Sequence, residues 1–510
     1  MFSLKSWLLF LAFAVSCVTS NQEPSDGSSS NSPQECCEAI RNQLPSIVHF
    51  PQTPEYKARH SAYYSLQQQE LFPACTVKPM SPEDVSRVLQ IAKAGQCRFA
   101  VASGGHMAWK GSSNLDNGFV FDMRGLDKIE FSSSKKSVKL GPGSPWVNVY
   151  AEMSRYNVTV AGARINAVGV GGFLTGGGFT FRSQTLGLGS NNVFNYEVVL
   201  SNGTVVNAND RSHPDLFWAL KLAGSNYGIV TRFDMNTYHS PAIWGAISLY
   251  PVTNQTVSEV LADYEVYSHD NNNTNVFKSF VLVKTAAQDM LMTVMANTDG
   301  VPESPATSVP PLQHVEEISS THDVVNDVIA GALDSTARAA WFTFTTTANT
   351  RVALDTYELA GNVFKPLMKK DGLSVVVSSQ AFQKSFIEAT RGSPIYNSLK
   401  KPGKDLTMML ILVTWSDPAD DRAMEAATDR LGTLAEKEAR KNGMLADFIY
   451  MNYANGEQKV YERSVTPEDL TRMLQVRDAY DPGRTMEKLW HGGYKLPHED
   501  VHGTGTKDEL

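Results

Sequence analysis

The sequence carries no excess of positive charge: 45 Lys and Arg stand against 53 Asp and Glu, a formal net charge of −8 over 510 residues. That balance argues against nucleic-acid binding as the main task. Nor does any stretch after the first twenty residues approach the roughly 18 apolar residues that a membrane-spanning helix needs. Only five cysteines occur, none beyond Cys97, and no histidine pair accompanies them at the spacing of a zinc site. There is no internal repeat. With 42% hydrophobic residues the chain is long enough to bury a large core and to form more than one domain.

What is present begins with an address. Lys5, the apolar run from Trp7 to Val15 and the small residues Val18, Thr19 and Ser20 read as a secretory signal peptide over residues 1–20. Its removal takes Cys17 and leaves Cys36, Cys37, Cys75 and Cys97. A bridge between the neighbours Cys36 and Cys37 would be strained, so each is expected to pair with Cys75 or Cys97. Acceptor sequons for N-glycosylation stand at Asn157, Asn202, Asn254 and Asn272. The chain ends in Lys507-Asp508-Glu509-Leu510, the lumenal retrieval signal KDEL, which a retrieval receptor reads. Residence in the endoplasmic reticulum lumen is therefore expected, with secretion as the alternative. Residues 21–33, rich in Ser, Asn and Pro, read as a disordered leader.

Short strands and helices then alternate. Residues 76–94 read as a strand followed by a helix capped at Ser81, with Val85, Val88, Leu89 and Ala92 forming a core stripe. Strands are expected at 99–102, 119–123, 137–140, 193–199 and 204–207, and helices at 145–155 and 214–222. Beyond residue 240 the texture changes to longer strand-like runs at 246–250, 277–283, 290–296 and 406–415. Helical patterns accompany them near 324–333, 351–369 and 423–442. This reads as α+β, with a second domain following the first.

Two glycine-rich segments carry the chemistry. The strand from Phe99 ends in Ser103-Gly104-Gly105-His106, where paired glycines let the backbone turn and successive N–H groups can converge on an anion. Six glycines fall between Gly169 and Gly178, a density that fits either backbone pressed close against something flat or charged or a glycine-rich structural loop. The second segment is no dinucleotide fingerprint, because Leu174 occupies the place of the third glycine. Further blocks follow: Asn226-Tyr227-Gly228-Ile229-Val230-Thr231, Tyr450-Met451-Asn452-Tyr453, Tyr480-Asp481-Pro482 and Gly492-Gly493.

Taken together these blocks resemble the FAD-linked oxidases of the vanillyl-alcohol-oxidase type, most closely the berberine-bridge-enzyme-like branch found in fungi. The resemblance implies a two-lobed FAD-binding domain plus a substrate domain with an antiparallel sheet covered by helices. On that reading residues 21–60 are the leader and N-terminal segment and 61–240 the FAD domain. Residues 241–445 are the substrate domain, 446–497 a return to the FAD domain, and 498–510 the tail. It also implies FAD as cofactor: Ser103, Gly104 and Gly105 would hold the pyrophosphate and His106 would bond covalently to the flavin. Val168, Gly169, Gly171, Gly172, Gly176 and Gly177 would lie along its ring, Ile229 would meet the adenine end, and Asn452 would support the flavin. Ile165 stands where many relatives have a cysteine, so one covalent bond and not two is implied. Ala102 replaces a common arginine, which puts one phosphate or packing contact elsewhere. Phe173 replaces a common histidine, which alters a wall. Valine at 168 is associated with admission of O2, and Tyr453 is the implied general base. The implied activity is oxidation of an alcohol, C–H or C–N bond of a small secondary metabolite by hydride transfer, with O2 as acceptor. The alternatives are an oxidative cyclase or dehydrogenase of the same family, or a lumenal flavin-binding protein without turnover.

Overall fold

The computed structural model describes residues 30–330 and 337–497. The expected signal peptide and the KDEL tetrapeptide lie outside the described residues. No helix among the described residues is long and apolar enough to cross a membrane.

Three sheets organise the chain. A four-stranded sheet has the spatial order Val48–His49, Cys75–Val77, Phe119–Asp122, Phe99–Ala102, and its last three strands run parallel. The helix Pro82–Ala94 covers it. Ser81 accepts a hydrogen bond from Asp84 N, Pro82 begins the first turn, Glu83 and Asp84 complement the positive helix end, and Gly95 closes it. Val85, Val88, Leu89 and Ala92 are fully buried, as their spacing predicts. A five-stranded antiparallel sheet forms the other half of this lobe, built on Val193–Val199 and Ile229–Asn236.

Cys36 and Cys37, adjacent on the helix Pro33–Gln43, bridge to Cys97 and Cys75 respectively. The two bonds fasten that helix beside the strand that leads into the Ser103–His106 turn.

Residues 243–446 build an eight-stranded sheet that is antiparallel throughout. Its two faces follow the twofold alternation of extended chain. On the strand Ser374–Phe382, Val375 and Val377 pack into a core with residues of the helices Asn254–His269, Thr350–Val363 and Asp421–Lys441. Val376, Ser378 and Gln380 point the other way and line a cavity. Neighbouring strands repeat the pattern, with Phe277, Ser279 and Val281 on one and Leu410 and Leu412 on another facing that cavity. Residues 446–497 then return to the first lobe, where His491 N donates to Phe99 O at 2.6 Å and Gly493 N to Ser112 O at 3.0 Å.

The segment 169–178 is not wholly a loop. Val170–Thr175 closes into a short helix, since Gly176 N reaches back to Gly172 O. All four sequon asparagines, Asn157, Asn202, Asn254 and Asn272, lie exposed.

Candidate functional site

The strand Phe99–Ala102 ends at Ser103, and Gly105 turns the chain at φ +73°, a left-handed conformation that favours glycine. The carbonyls of this turn are all held from behind. Arg59 Nη1 donates to Ser103 O at 2.8 Å and Nη2 to Gly104 O at 3.5 Å, while Tyr64 N donates to Gly105 O at 3.0 Å. The amides of Gly104 and Gly105 donate to no group among the described residues. With the carbonyls drawn back and two N–H groups left over, the turn is a nest for an anion. Arg59 is itself buried, with its guanidinium over the Tyr63 ring at 4.3 Å and Asp122 at 3.9 Å. Burial draws its pKa below the usual arginine value, against the pull of Tyr63 and Asp122. The guanidinium that the motif lacks at Ala102 thus reaches the turn from 44 residues upstream of Ser103.

Part of the glycine reading needs correcting. A Cβ on Gly104 would run into Gly169 N, and one on Gly169 would strike Gly104 N and Ser103 Oγ. These two glycines stand where two backbone segments meet. Gly171 abuts Pro142 and Ser103, and a Cβ on Gly176 would hit Asn452 Oδ1. Gly177 is off the cavity altogether; its φ of +99° is its reason for being glycine. Gly172 alone of the segment opens on free space, where a Cβ would meet nothing within 4 Å. Ser103 Oγ joins the two segments, donating to Pro142 O at 2.5 Å and accepting from Gly171 N at 3.3 Å.

A cavity of about 380 Å³, within the size range of small-molecule sites, is lined by the turn, by Val168, Gly169, Gly171, Gly172 and Gly176, and by Ile229, Asn452 and Tyr453. Ile165, at the position of the absent cysteine, lines it too. The His106 ring stacks on Tyr64 with centroids 4.5 Å apart. Phe173 packs its edge against Trp146, buried. Asn452 Nδ2 donates to Phe173 O at 3.0 Å, tying the tyrosine block to the glycine segment.

Tyr453 is half-buried, and Arg164 Nη2 donates to its hydroxyl at 2.8 Å. Gln380 Nε2, from the eight-stranded sheet, donates to the same oxygen at 3.4 Å. The ring is held edge-on between Trp341 and Tyr450, at 5.9 and 4.9 Å. Tyr450 is different: it is buried, its oxygen accepts from Phe179 N at 2.7 Å, and burial pushes its pKa well above the usual phenol range. A tyrosine that is to accept a proton needs a cation or another hydrogen-bond donor beside its oxygen. Arg164 is that cation, 289 residues away in the chain.

At the other end, Asn226 fastens the Gly224–Gly228 turn to the returning chain, donating to Tyr494 O and accepting from Leu496 N. Lys495 Nζ donates to Ser225 O and Met486 O, each at 2.9 Å. Burial pulls the Lys495 pKa down to about 7, against the charges of Glu487 and Asp481. An unfolded lysine titrates near roughly 10.4, so between those values the unfolded chain binds a proton that the folded chain does not. Stability from this group therefore rises with pH through that window. The gain in guanidinium midpoint from about pH 7 to about pH 9.5 is expected to be smaller in Lys495→Met than in the natural chain.

Residues 73–209 match a family described as FAD binding domain. A FAD-dependent monooxygenase of Aspergillus calidoustus, drtC, is 30% identical over 484 residues, covering 91% of this chain and 90% of that relative. The chain belongs to the same family of FAD-binding oxidoreductases as that relative. Two solved structures share the fold of this flavoenzyme. BBE-like 1 of Physcomitrella patens aligns with a TM-score of 0.72 at 15% identity, over 91% of this chain and all of that one. Berberine bridge enzyme of Eschscholzia californica gives 0.72 at 14%, over 88% and 97%. The cavity fits FAD on its own terms: a nest of free amides for a pyrophosphate, an open face at Gly172, and an apolar end around Ile229 and Trp490.

Proposed function

We propose that this flavoenzyme is an oxidase that takes two electrons and two protons from an alcohol carbon and its hydroxyl. Overall, one alcohol and one O2 become one carbonyl compound and one H2O2: the C–H and O–H bonds break, and both hydrogens end on oxygen. Ser103, Gly104 and Gly105 would hold the pyrophosphate, His106 would carry the single covalent link, and Gly172 would leave room beside the ring. FAD, when bound, supplies the acceptor of the hydride and the route of the electrons to O2.

The observation that carries this reading is the Arg164–Tyr453 pair in the same cavity as the turn at His106. Tyr453 would receive the hydroxyl proton, with Arg164 Nη2 donating to its oxygen and fixing its position. Gln380, Trp341 and Tyr450 fix the direction of the hydroxyl. Val168 would leave O2 a path to the reacting face.

The visible spectrum before and after acid precipitation tests the cofactor assignment. Yellow colour is expected in the pellet of the natural chain and in the supernatant of His106→Ala, and colour released by both would refute the covalent link. The Aspergillus relative is named a monooxygenase. Reaction under isotopically heavy O2 separates the two activities: an oxidase yields one H2O2 per turnover and no label in the product. We further propose residence in the endoplasmic reticulum lumen, supported by Lys507–Leu510. Deleting those four residues is expected to send the chain to the medium, and unchanged retention would refute it.

A further inference from the structure

We infer that the substrate is a flat aromatic molecule, uncharged or anionic, bearing a hydroxyl directed at Arg164 and Tyr453, and neither an amine nor a sugar. This rests on the reading of the cavity as a substrate site beside a flavin, and it goes beyond that reading by naming the substrate's chemistry.

Charge is the first ground. Arg164 is the only arginine, lysine, aspartate or glutamate that lines the cavity among the described residues. A protonated amine brought here would meet a guanidinium and find no carboxylate to replace its water, which is the costly case for a buried ion. Aromatic faces can substitute for a carboxylate by attracting a cation. Two of the rings lining the cavity are already taken, since the Arg164 guanidinium lies 5.0 Å from the Phe179 ring and 5.0 Å from that of Phe277. An oxygen of neutral or negative charge, in contrast, gains a donor.

Shape and polarity are the second. The wall supplied by the eight-stranded sheet presents Phe277, Val281, Val376, Leu410, Leu412 and Trp341. Aromatic surface of this kind favours a flat apolar partner by stacking and edge contacts. Polar groups on that wall are few. Ser279 Oγ is spent on Ser379 O at 2.8 Å, Ser378 Oγ lies 3.4 Å from Ser279 Oγ, and Gln380, 3% exposed, already faces Tyr453 and keeps only its Oε1 without a partner among the described residues. A saccharide, with a hydroxyl on nearly every carbon, would leave most of them unanswered against this surface.

Isothermal titration of the purified holoenzyme at neutral pH with 2-naphthol, 2-naphthoate, 2-naphthylmethylamine and cellobiose tests this directly. The naphthol and the naphthoate are expected to bind about ten-fold tighter than the amine or more, the scale set by removing one unfavourable charge contact. In Arg164→Gln the naphthoate-to-amine ratio should fall about five-fold or more. Gln380→Glu, which puts a carboxylate on the wall without touching the arginine, should raise amine binding relative to naphthoate about ten-fold. Amine binding as tight as naphthol, cellobiose binding tighter than any naphthalene probe, or ratios unmoved in both variants would each overturn the inference. Titration heat reports binding whether or not turnover occurs. A chain with the expected preference but no flavin chemistry would therefore refute the proposed function and leave this inference standing, and the reverse result would do the opposite.

Discussion

Tyr453→Phe is expected to lower kcat by about 10²- to 10³-fold, the usual contribution of a positioned proton acceptor. KM and flavin content should change little. Phenylalanine keeps the ring edge-on to Trp341 and Tyr450, so the packing that holds the block at 450–453 survives. What is lost is the oxygen at 2.8 Å from Arg164 Nη2. A role confined to packing predicts the reverse, an intact kcat in the phenylalanine variant, and a kcat within about two-fold of natural would remove Tyr453 from the chemistry. Tyr450→Phe serves as the contrast: its oxygen is committed to Phe179 N, so its removal should cost stability of the glycine segment more than rate.

The second large effect concerns the fold. Replacing Cys36 and Cys97 by alanine, or Cys37 and Cys75, opens a loop with a sequence separation of 61 or 38 residues. On the chain-entropy account each bridge contributes about 4 kcal/mol. Domains of ordinary stability hold about 5–15 kcal/mol in all. Loss of one bridge should leave a chain that folds with a markedly lower urea midpoint. Loss of both should leave the lobe carrying the Ser103–His106 turn unfolded at about 37 °C, with no retained flavin. Urea titration of the natural chain with and without reductant checks this without any substitution. A midpoint that does not move with reductant would show that the four-stranded sheet stands without its bridges.

What was legible in the sequence follows from range. The turn at 103–106 could be read because glycines and a strand end lie next to one another, and the eight-stranded sheet because long strand-like runs recur after residue 240. The pairing of Cys36 and Cys37 could be narrowed but not chosen, since their order on the helix Pro33–Gln43 decides which partner each one faces. Arg59, Arg164, Gln380 and Trp341 carried no local signal. Each is an ordinary residue in an ordinary segment, and its place at the cavity is fixed by contacts spanning dozens to hundreds of residues. The glycines are a complementary case: their density says that backbone approaches a neighbour without saying which, and at Gly104 and Gly169 that neighbour is another stretch of main chain.

The return of residues 446–497 to the first lobe bears on the order of events during biosynthesis. Tyr453, Asn452, Trp490 and Gly493 all line the cavity, and His491 closes onto Phe99 at the root of the turn. A nascent chain can therefore complete its bridges between positions 36 and 97 early. It cannot enclose a prosthetic group until nearly its last described residues have left the ribosome. A product truncated before residue 446 would lack these walls of the cavity and is expected to be released colourless.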